Sequence, residues 1–290
     1  MSLVINHNMM AMNASRNLGQ SYSALETSTR RLSSGLRVGT ASDDAAGLAV
    51  RELMRADIQS LHQGVRNAND AISLIQTADG ALGVIDEKLI RMKELAMQAS
   101  TGTYNSDQRL IIDSEYQAMA SEITRIANST DFNGIYLLNG NLSGAHSGSG
   151  LQSSGKLKVH FGTGNDCAED YYYVEISSST ASSLGVGLAA SNSISTQALA
   201  QASLETLNNA IISKDKIRAN LGSLQNRLEN TVTVLEIQAE NVQAAESRIS
   251  DVDVATEMTE FVRNQIKTQA AVSMLAQANS MPRMALSLIG

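Results

Sequence analysis

Apolar and small residues recur at Ala11, Ser15, Leu18, Tyr22, Leu25, Thr29, Leu32 and Leu36, a four-three alternation that puts them on one stripe of a helix. The next segment, 34–44, holds Gly35 and Gly39 to stop the helix, and Thr40 with Asp43 in capping-box spacing to restart it. A second helix is predicted from Asp57 to Ser100, with Ile58, Leu61, Val65, Ala68, Ile72, Ile75, Leu82, Ile85, Leu89 and Met92 on one face. After a break at Gly102, Ser106 and Asp107 open a third helix through Leu110, Tyr116, Ile123 and Ile126 to Asn128. At a rise of about 1.5 Å per residue the second helix is roughly 65 Å long, which does not suit a compact globule.

The centre reads as strands. Asn133-Gly134 and Asn139-Gly140 flank the short apolar run Ile135 to Leu138, each a hairpin-type turn. Leu157, Val159 and Phe161 alternate with Lys158 and His160, and Tyr172, Val174 and Ile176 alternate with Tyr173 and Glu175, so a hairpin is predicted over the polar loop 162–170. The Ser/Gly-rich stretches 143–155 and 177–183 read as exposed loops. Beyond them, Ile217, Leu221, Leu224, Leu228, Thr231, Leu235, Gln238, Val242, Ala245, Ile249 and Val252 keep an unbroken four-three alternation, a coiled-coil seam in which only Thr231 and Gln238 are polar. Ser250 and Asp253 again have capping-box spacing, so a separate or re-phased helix is predicted from Val254 onward.

Composition agrees with helix. Hydrophobic residues are 43% of the 290, but aromatics only 3%, with no Trp and a single proline, Pro282. The apolar content is therefore aliphatic, Ala and Met, which lose little side-chain freedom in a helix. A net charge of -7 opposes a nucleic-acid role, which needs a basic face. No run is long and apolar enough to span a bilayer, and the start MSLVINHNMM lacks a secretory signal pattern, so neither a membrane role nor a cleaved leader is expected. The ends differ from the rest. Residues 1–15 carry no charged side chain and from Thr268 onward only Arg283 is charged, although both stretches are rich in aliphatic residues and Met. Such a surface needs a partner, and the natural ones are the two ends themselves and those of identical chains.

Candidate chemistry is sparse. The lone Cys167 makes no internal disulfide, and with His160 it lacks the third, orienting group of a thiol nucleophile. Asp166, Glu169 and Asp170 lack the spacing of an EF-hand loop and read as a solvated acidic turn. The pairs Asp43-Asp44 and Asp251/Asp253 stand at helix starts, where carboxylates cap and favourably meet the helix dipole. His7, His62 and His146 form no constellation, and the methionines at 9, 10, 12, 274, 281 and 284 read as adaptable interface packing. Ser147, Ser149, Ser153 and Ser178 are candidate glycosylation positions if the surface is modified, although a plain solvated loop accounts for them on composition. No catalytic residue, metal or cofactor is expected.

Several segments in fixed order carry a family pattern: INHNMMAMNASRNL near the start, RLSSGLRVGTASDDAAGLAV at 31–50, RMKELAMQAS at 91–100, FNGIYLLNG at 132–140, and the tail from Ser247, beginning SRISDVDVATEMTEFVRNQ. In these the chain resembles bacterial flagellin over roughly 1–140 and 195–290, and several motifs in order are more specific than any one of them. The resemblance implies a mainly α fold of long antiparallel coiled-coil arms, with short β-hairpins in the centre and outer variable domains absent or minimal. Residues 1–42 and 251–290 would be paired inner-core helices, 43–56 a connecting spoke, 57–140 with 191–250 a rod-like outer-tube domain, and 141–190 a variable hairpin or loop insertion. Leu3, Ile5, Met9, Leu18, Leu25, Leu32, Val262, Ile266, Val272, Leu275, Leu286 and Leu288 would form the filament inner-core interface, and Leu221, Leu224, Leu228, Leu235, Val242 and Ile249 a coiled-coil seam.

The function so implied is a structural subunit that self-polymerises into the flagellar filament of a swimming bacterium, exported unfolded by the flagellar type III apparatus. Implied partners are copies of itself, a secretion chaperone, and the filament cap and hook-associated proteins, at an extracellular location. Arg91, Leu95 and Glu115 match the centre of the patch through which a vertebrate innate immune receptor senses flagellins, with Ile90 where Gln is often found and Lys93 where a second Arg is. Without a receptor, Arg91 and Glu115 read as ion-pair or subunit-contact residues. Two rival readings are a hook-filament junction adaptor, which shares the terminal pattern more weakly, and an enzyme sited in the hairpin region, which has no pocket signature.

Overall fold

A computed structural model describes residues 7–146, 155–166, 169–187 and 193–289, with the side chains of 285–289 not described. The chain divides into two units. One comprises Met1–Ile58 with Glu240–Gly290, the other Gln59–Ala239. Among the described residues the helices are α1 (Met9–Ser34), α2 (Ala45–Ser100), α3 (Ser106–Ser129), α4 (Gln197–Ser250) and α5 (Val254–Ile289). The short strands among them are β1 (Asp131–Phe132), β2 (Ile135–Tyr136), β3 (Leu157–His160) and β4 (Tyr171–Val174). No helix among the described residues is long and apolar enough to cross a membrane.

In the first unit α1 stops at Gly35, which takes a left-handed φ of 73° and sends its N–H to the Arg31 carbonyl at 2.8 Å. The following residues pair with the α4–α5 connection. Arg37 N–H donates to the Ser250 carbonyl at 2.7 Å, and Val252 N–H to the Gly35 carbonyl at 3.0 Å, around an isolated antiparallel bridge of Leu36 with Asp251. The guanidinium of Arg37 also donates to the Ile249 carbonyl at 2.6 Å. The start of α2 is fixed to the same place, because buried Arg51 donates to the Val38 carbonyl at 2.6 Å.

The caps stand one to four residues from the capping-box positions expected. Asp43 closes the turn before α2, accepting from the backbone N–H of Thr40 at 3.0 Å and its hydroxyl at 2.9 Å, while Asp44 caps the helix by accepting from Gly47 N–H at 2.9 Å. Residues 45–56, read from the sequence as part of a connecting spoke, are therefore the first turns of α2. Asn105 with Gln108, not Ser106, makes the capping box of α3. Asp253, not Ser250, caps α5, accepting from the N–H groups of Ala255 and Thr256 at 3.0 and 3.3 Å.

The second unit has the larger core. Ten of the buried residues on α2, Ala68, Ala71, Ile75, Ala78, Leu82, Ile85, Leu89, Met92, Ala96 and Ala99, form an unbroken three-four series, with Leu61, Leu74 and Leu95 buried beside it. Five of the ten are alanines, which lets neighbouring backbones approach. Ala71 takes the place that the apolar pattern assigned to Ile72, which is only half-buried, and Ala78 fills the step it left blank between Ile75 and Leu82. Tyr116 and Ile123 of α3 and Leu207, Leu221 and Leu228 of α4 complete the centre, each at 1% exposure or less. Helices α2 and α4 run antiparallel there, since Asp79 pairs with Arg218 and Asp86 with Lys214.

The hairpins at Asn133-Gly134 and over 162–170 are present, whereas Asn139-Gly140, also read as a hairpin-type turn, joins no paired strands among the described residues. In β1–β2, Phe132 pairs with Ile135 across Asn133 (φ 51°) and Gly134 (φ 79°), the two left-handed residues of a tight turn. In β3–β4, Leu157 opposes Val174 and Val159 opposes Tyr172, so the apolar set faces the core as the alternation requires. The hairpin is tied to α2 by Asn67, whose amide donates to the His160 carbonyl at 2.8 Å, and to α4 by the Arg227 guanidinium, 3.6 Å above the Tyr172 ring. The stretch 177–183 is not the exposed loop its serines predict. Ser179 and Ala181 are fully buried, together with Ile176 and Val186 on either side, and Ser179 N–H donates to the Leu138 carbonyl at 2.9 Å. Apolar residues spaced among the small polar ones are enough to seat it.

Candidate assembly surfaces

Helix α5 is inside out. Its covered stripe runs through Glu257, Phe261, Asn264, Thr268, Ala271, Leu275 and Ala278, a four-three series packed on α1. Three of the four most buried members, Glu257, Asn264 and Thr268, are polar. Outside that stripe the helix exposes Val254, Met258, Val262, Ile266, Val272 and Met274, with Ile266 at 60% and Met274 at 65%. An amphipathic helix in water does the reverse. Covering those six side chains would contribute on the order of 1 kcal/mol each, given that they are about half covered already.

Helix α1 meets α5 antiparallel. At one end the Asn8 amide donates to the Ala278 carbonyl at 2.8 Å, and at the other Arg31 lies 3.6 Å from the Glu257 carboxylate. The covered stripe of α1 contains Ala11, Leu18, Leu25 and Leu32, as the spacing predicts. The intervening positions are Ala14, Ser21 and Ser28, not Ser15, Tyr22 and Thr29. Small residues on both sides of the stripe hide that one-residue offset from a sequence reading. Met9, Met10, Met12 and Tyr22 are left exposed.

The twelve inner-core positions thus separate. Leu18, Leu25, Leu32 and Leu275 are half-buried in the chain's own α1–α5 seam, so most of their apolar surface is already covered within one chain. Met9, Val262, Ile266 and Val272 face outward. Leu3 and Ile5 lie outside the described residues, and so do the side chains of Leu286 and Leu288. Met274, read from the sequence as interface packing, is outward too, and Val254 and Met258 join it although the sequence pattern does not single them out; Met258 stands one residue off the covered stripe and Val254 opens the helix.

Along the α4 seam Leu221, Leu228 and Leu235 are buried, and Leu224, Val242 and Ile249 half-buried. At the polar position of the pattern Gln238 turns outward and Ala239, at 3% exposure, takes its place. The last two seam positions belong to the first unit, the others to the second.

On α2 and α3, Arg91 sits between two carboxylates, bonding Glu115 at 2.9 Å and Glu94 at 3.0 Å, with all three exposed. Glu115, then Glu94, raises the Arg91 pKa further above its ordinary range. Leu95 is different. It is 2% exposed and belongs to the core, so it has no surface to offer a receptor. On the same two helices Ile90, Met97 and Ile111 are exposed, apolar residues that the core stripes leave out.

The remaining candidates are local. Asp170 uses its carboxylate inside the loop, accepting from the N–H groups of Asp166 at 2.7 Å and Gly164 at 3.2 Å, bonds that lower its pKa. Among the described residues no group of His, Cys, Asp and Glu could hold a metal ion. Cys167, Ser147, Ser149 and Ser153 lie outside the described residues. Ser178 is half-buried, its hydroxyl 3.3 Å from that of Thr180, a poor attachment point for a sugar.

Residues 5–143 match the bacterial flagellin N-terminal helical region and residues 204–289 the bacterial flagellin C-terminal helical region. A flagellin from Halalkalibacterium halodurans is 41% identical over 287 residues, spanning 99% of this chain and 100% of that one. The chain belongs to the bacterial flagellin family. Among solved structures, Bacillus cereus flagellin is 32% identical with a TM-score of 0.47, covering 62% of this chain and 94% of its own. A flagellar hook-associated protein structure from Vibrio parahaemolyticus gives a TM-score of 0.56 at 14% identity, covering 72% and 100%, a likeness of fold alone. As a flagellin the chain is a structural subunit that self-polymerises into the flagellar filament, and not an enzyme.

Proposed function

We propose that the outward apolar faces of α5 and α1, centred on Val262, Ile266, Val272 and Met9, are the surfaces by which one subunit packs on the next along the filament core. The observation that carries this is the inverted α5, which buries Glu257, Asn264 and Thr268 against α1 and presents its aliphatic side to water. A contact between different faces of identical subunits, repeated without ring closure, yields a helical polymer. Residues 1–42 and 251–290 then form the inner core, and 57–140 with 191–250 the surrounding tube. Subunits held with these faces uncovered are prone to associate early, which favours export in an unfolded state through the flagellar type III apparatus, a chaperone on the C-terminal arm, and assembly outside the cell under a cap on top of hook-associated proteins. The exposed Arg91–Glu115 pair is proposed as the centre of the surface available to a vertebrate receptor before assembly.

The test is polymerisation of the purified chain followed by electron microscopy. Deleting 1–42 or 251–290, or replacing Val262 and Ile266 together by Asp, is expected to abolish filaments while far-UV circular dichroism still reports a folded 59–239 unit. Filaments formed by the double variant as readily as by the parent would overturn the assignment of this face.

A further inference from the structure

The chain has two Asn-Gly pairs close together, Asn133-Gly134 and Asn139-Gly140, and the structure holds them in opposite states. In such a pair the glycine nitrogen can attack the preceding carboxamide, since no side chain on the second residue blocks its approach. We propose that Asn139 is a site of spontaneous deamidation and that Asn133, in the same unit, is protected.

At the second pair the Asn139 carboxamide is folded back over the chain. Its Oδ1 accepts the Asn141 N–H at 3.0 Å, a bond that spans the Gly140 peptide and restrains the carboxamide beside it, which lowers the entropic cost of attack. That N–H also faces the oxygen on which negative charge develops in the tetrahedral intermediate, and so stabilises it. The Gly140 N–H makes no hydrogen bond among the described residues, leaving its proton free to be lost to solvent base. At the first pair the Gly134 N–H is engaged, donating to the Asp131 carboxylate at 3.1 Å. A proton shared with a carboxylate is harder to remove, and the negative charge beside the nitrogen opposes its ionisation. Asn133 is further fixed at φ 51° by the two-residue hairpin.

The step balances without any co-reactant but water. The Gly140 N–Cγ bond forms, the Cγ–Nδ2 bond breaks, and ammonia leaves carrying a proton that replaces the one lost from Gly140. Water then opens the cyclic imide at either carbonyl, giving aspartate or isoaspartate at 139 with no change of oxidation state. The product adds a negative charge to a chain already at -7. It does so where space is short: a Cβ on Gly140 would meet Ser178 at 3.2 Å, and the neighbouring Leu138 carbonyl holds Ser179 N–H at 2.9 Å. The extra backbone carbon of isoaspartate therefore loosens the seat of the 177–183 stretch.

The test is incubation of the full-length chain in mildly alkaline buffer, natively and in concentrated urea, with peptide mass spectrometry following the amide-to-acid conversion at each asparagine. Natively, Asn139 is expected to convert on the order of tenfold faster than Asn133, the effect of a modest difference in barrier. In urea the two rates converge, because both pairs then lack their local bonds. A control at the first pair is Asp131→Ala, which removes the carboxylate from Gly134 and should raise the native rate at Asn133 while leaving Asn139 unchanged. Native conversion of Asn133 at the same rate as Asn139 or faster, or an Asn139 that reacts only in urea, overturns the proposal.

Discussion

Gly64 of α2 lies so close to Phe161 that a methyl group on it would stand 2.0 Å from the Phe161 carbonyl oxygen. The β3–β4 hairpin is therefore seated on bare helix backbone, and the neighbouring Asn67 to His160 bond at 2.8 Å depends on that approach. Gly64→Ala is expected to push the hairpin off the helix and to destabilise by about 1–3 kcal/mol, the range for overpacking. Gly80, on the same helix with nothing within 4 Å of its missing side chain, supplies the opposite case. Gly80→Ala should stabilise by about 0.5–1 kcal/mol through helix propensity alone. Urea denaturation of the two variants reads both signs, and a neutral Gly64→Ala would show that the close approach is not needed.

Lys214 is buried to 1% exposure, its ammonium held by Asp86 and by Asp215, each at 2.6 Å. Removing Asp86 leaves the charge in the core with only the exposed Asp215 for compensation, whereas removing the lysine leaves a carboxylate that water can reach. Asp86→Ala is therefore expected to cost several kcal/mol, toward the roughly 3–5 kcal/mol of a broken buried pair, and Lys214→Met less than about 1 kcal/mol. Equal losses in the two variants, measured by the same denaturation, would mean that the pair stabilises by attraction and not by satisfying a buried charge.

Much of this was legible from residue order because each helix buries one stripe, and a stripe is a period. The ends of α1 and α3, the start of α5 and the register of Leu157 with Val174 all follow from alternation and turn chemistry. What was not legible has a common cause. Where similar residues adjoin, a period cannot choose between them: Asp43 or Asp44 as cap, Ser21 or Tyr22 in the seam, Gln238 or Ala239 on the inner face. The inversion of α5 is a different matter. Its aliphatic residues are more numerous on the exposed side, so a rule that sends apolar side chains inward assigns the wrong face to α1. Only the placement of α1 over Asn264 and Thr268 shows that a single chain leaves the apolar side of α5 uncovered.

Tyr116 on α3 is fully buried, and burial chiefly pushes its phenol up to about 12 from an ordinary 10, with the Ser203 hydroxyl acting the other way. The sign follows from proton counting. Between the two values the unfolded chain has released the phenolic proton while the folded chain still holds it, so the unfolded state binds fewer protons and stability falls as pH rises from about 10 toward 12. Below 10 both states are protonated and the group contributes no slope. Other groups also titrate in alkali, so the informative quantity is the difference from Tyr116→Phe. The urea midpoint of the parent chain is expected to fall more steeply above pH 10 than that of the variant, with parallel curves below it. Curves that stay parallel through the alkaline range would mean that water reaches the phenolate in the folded chain, and that the centre of the second unit opens more readily than its packing implies.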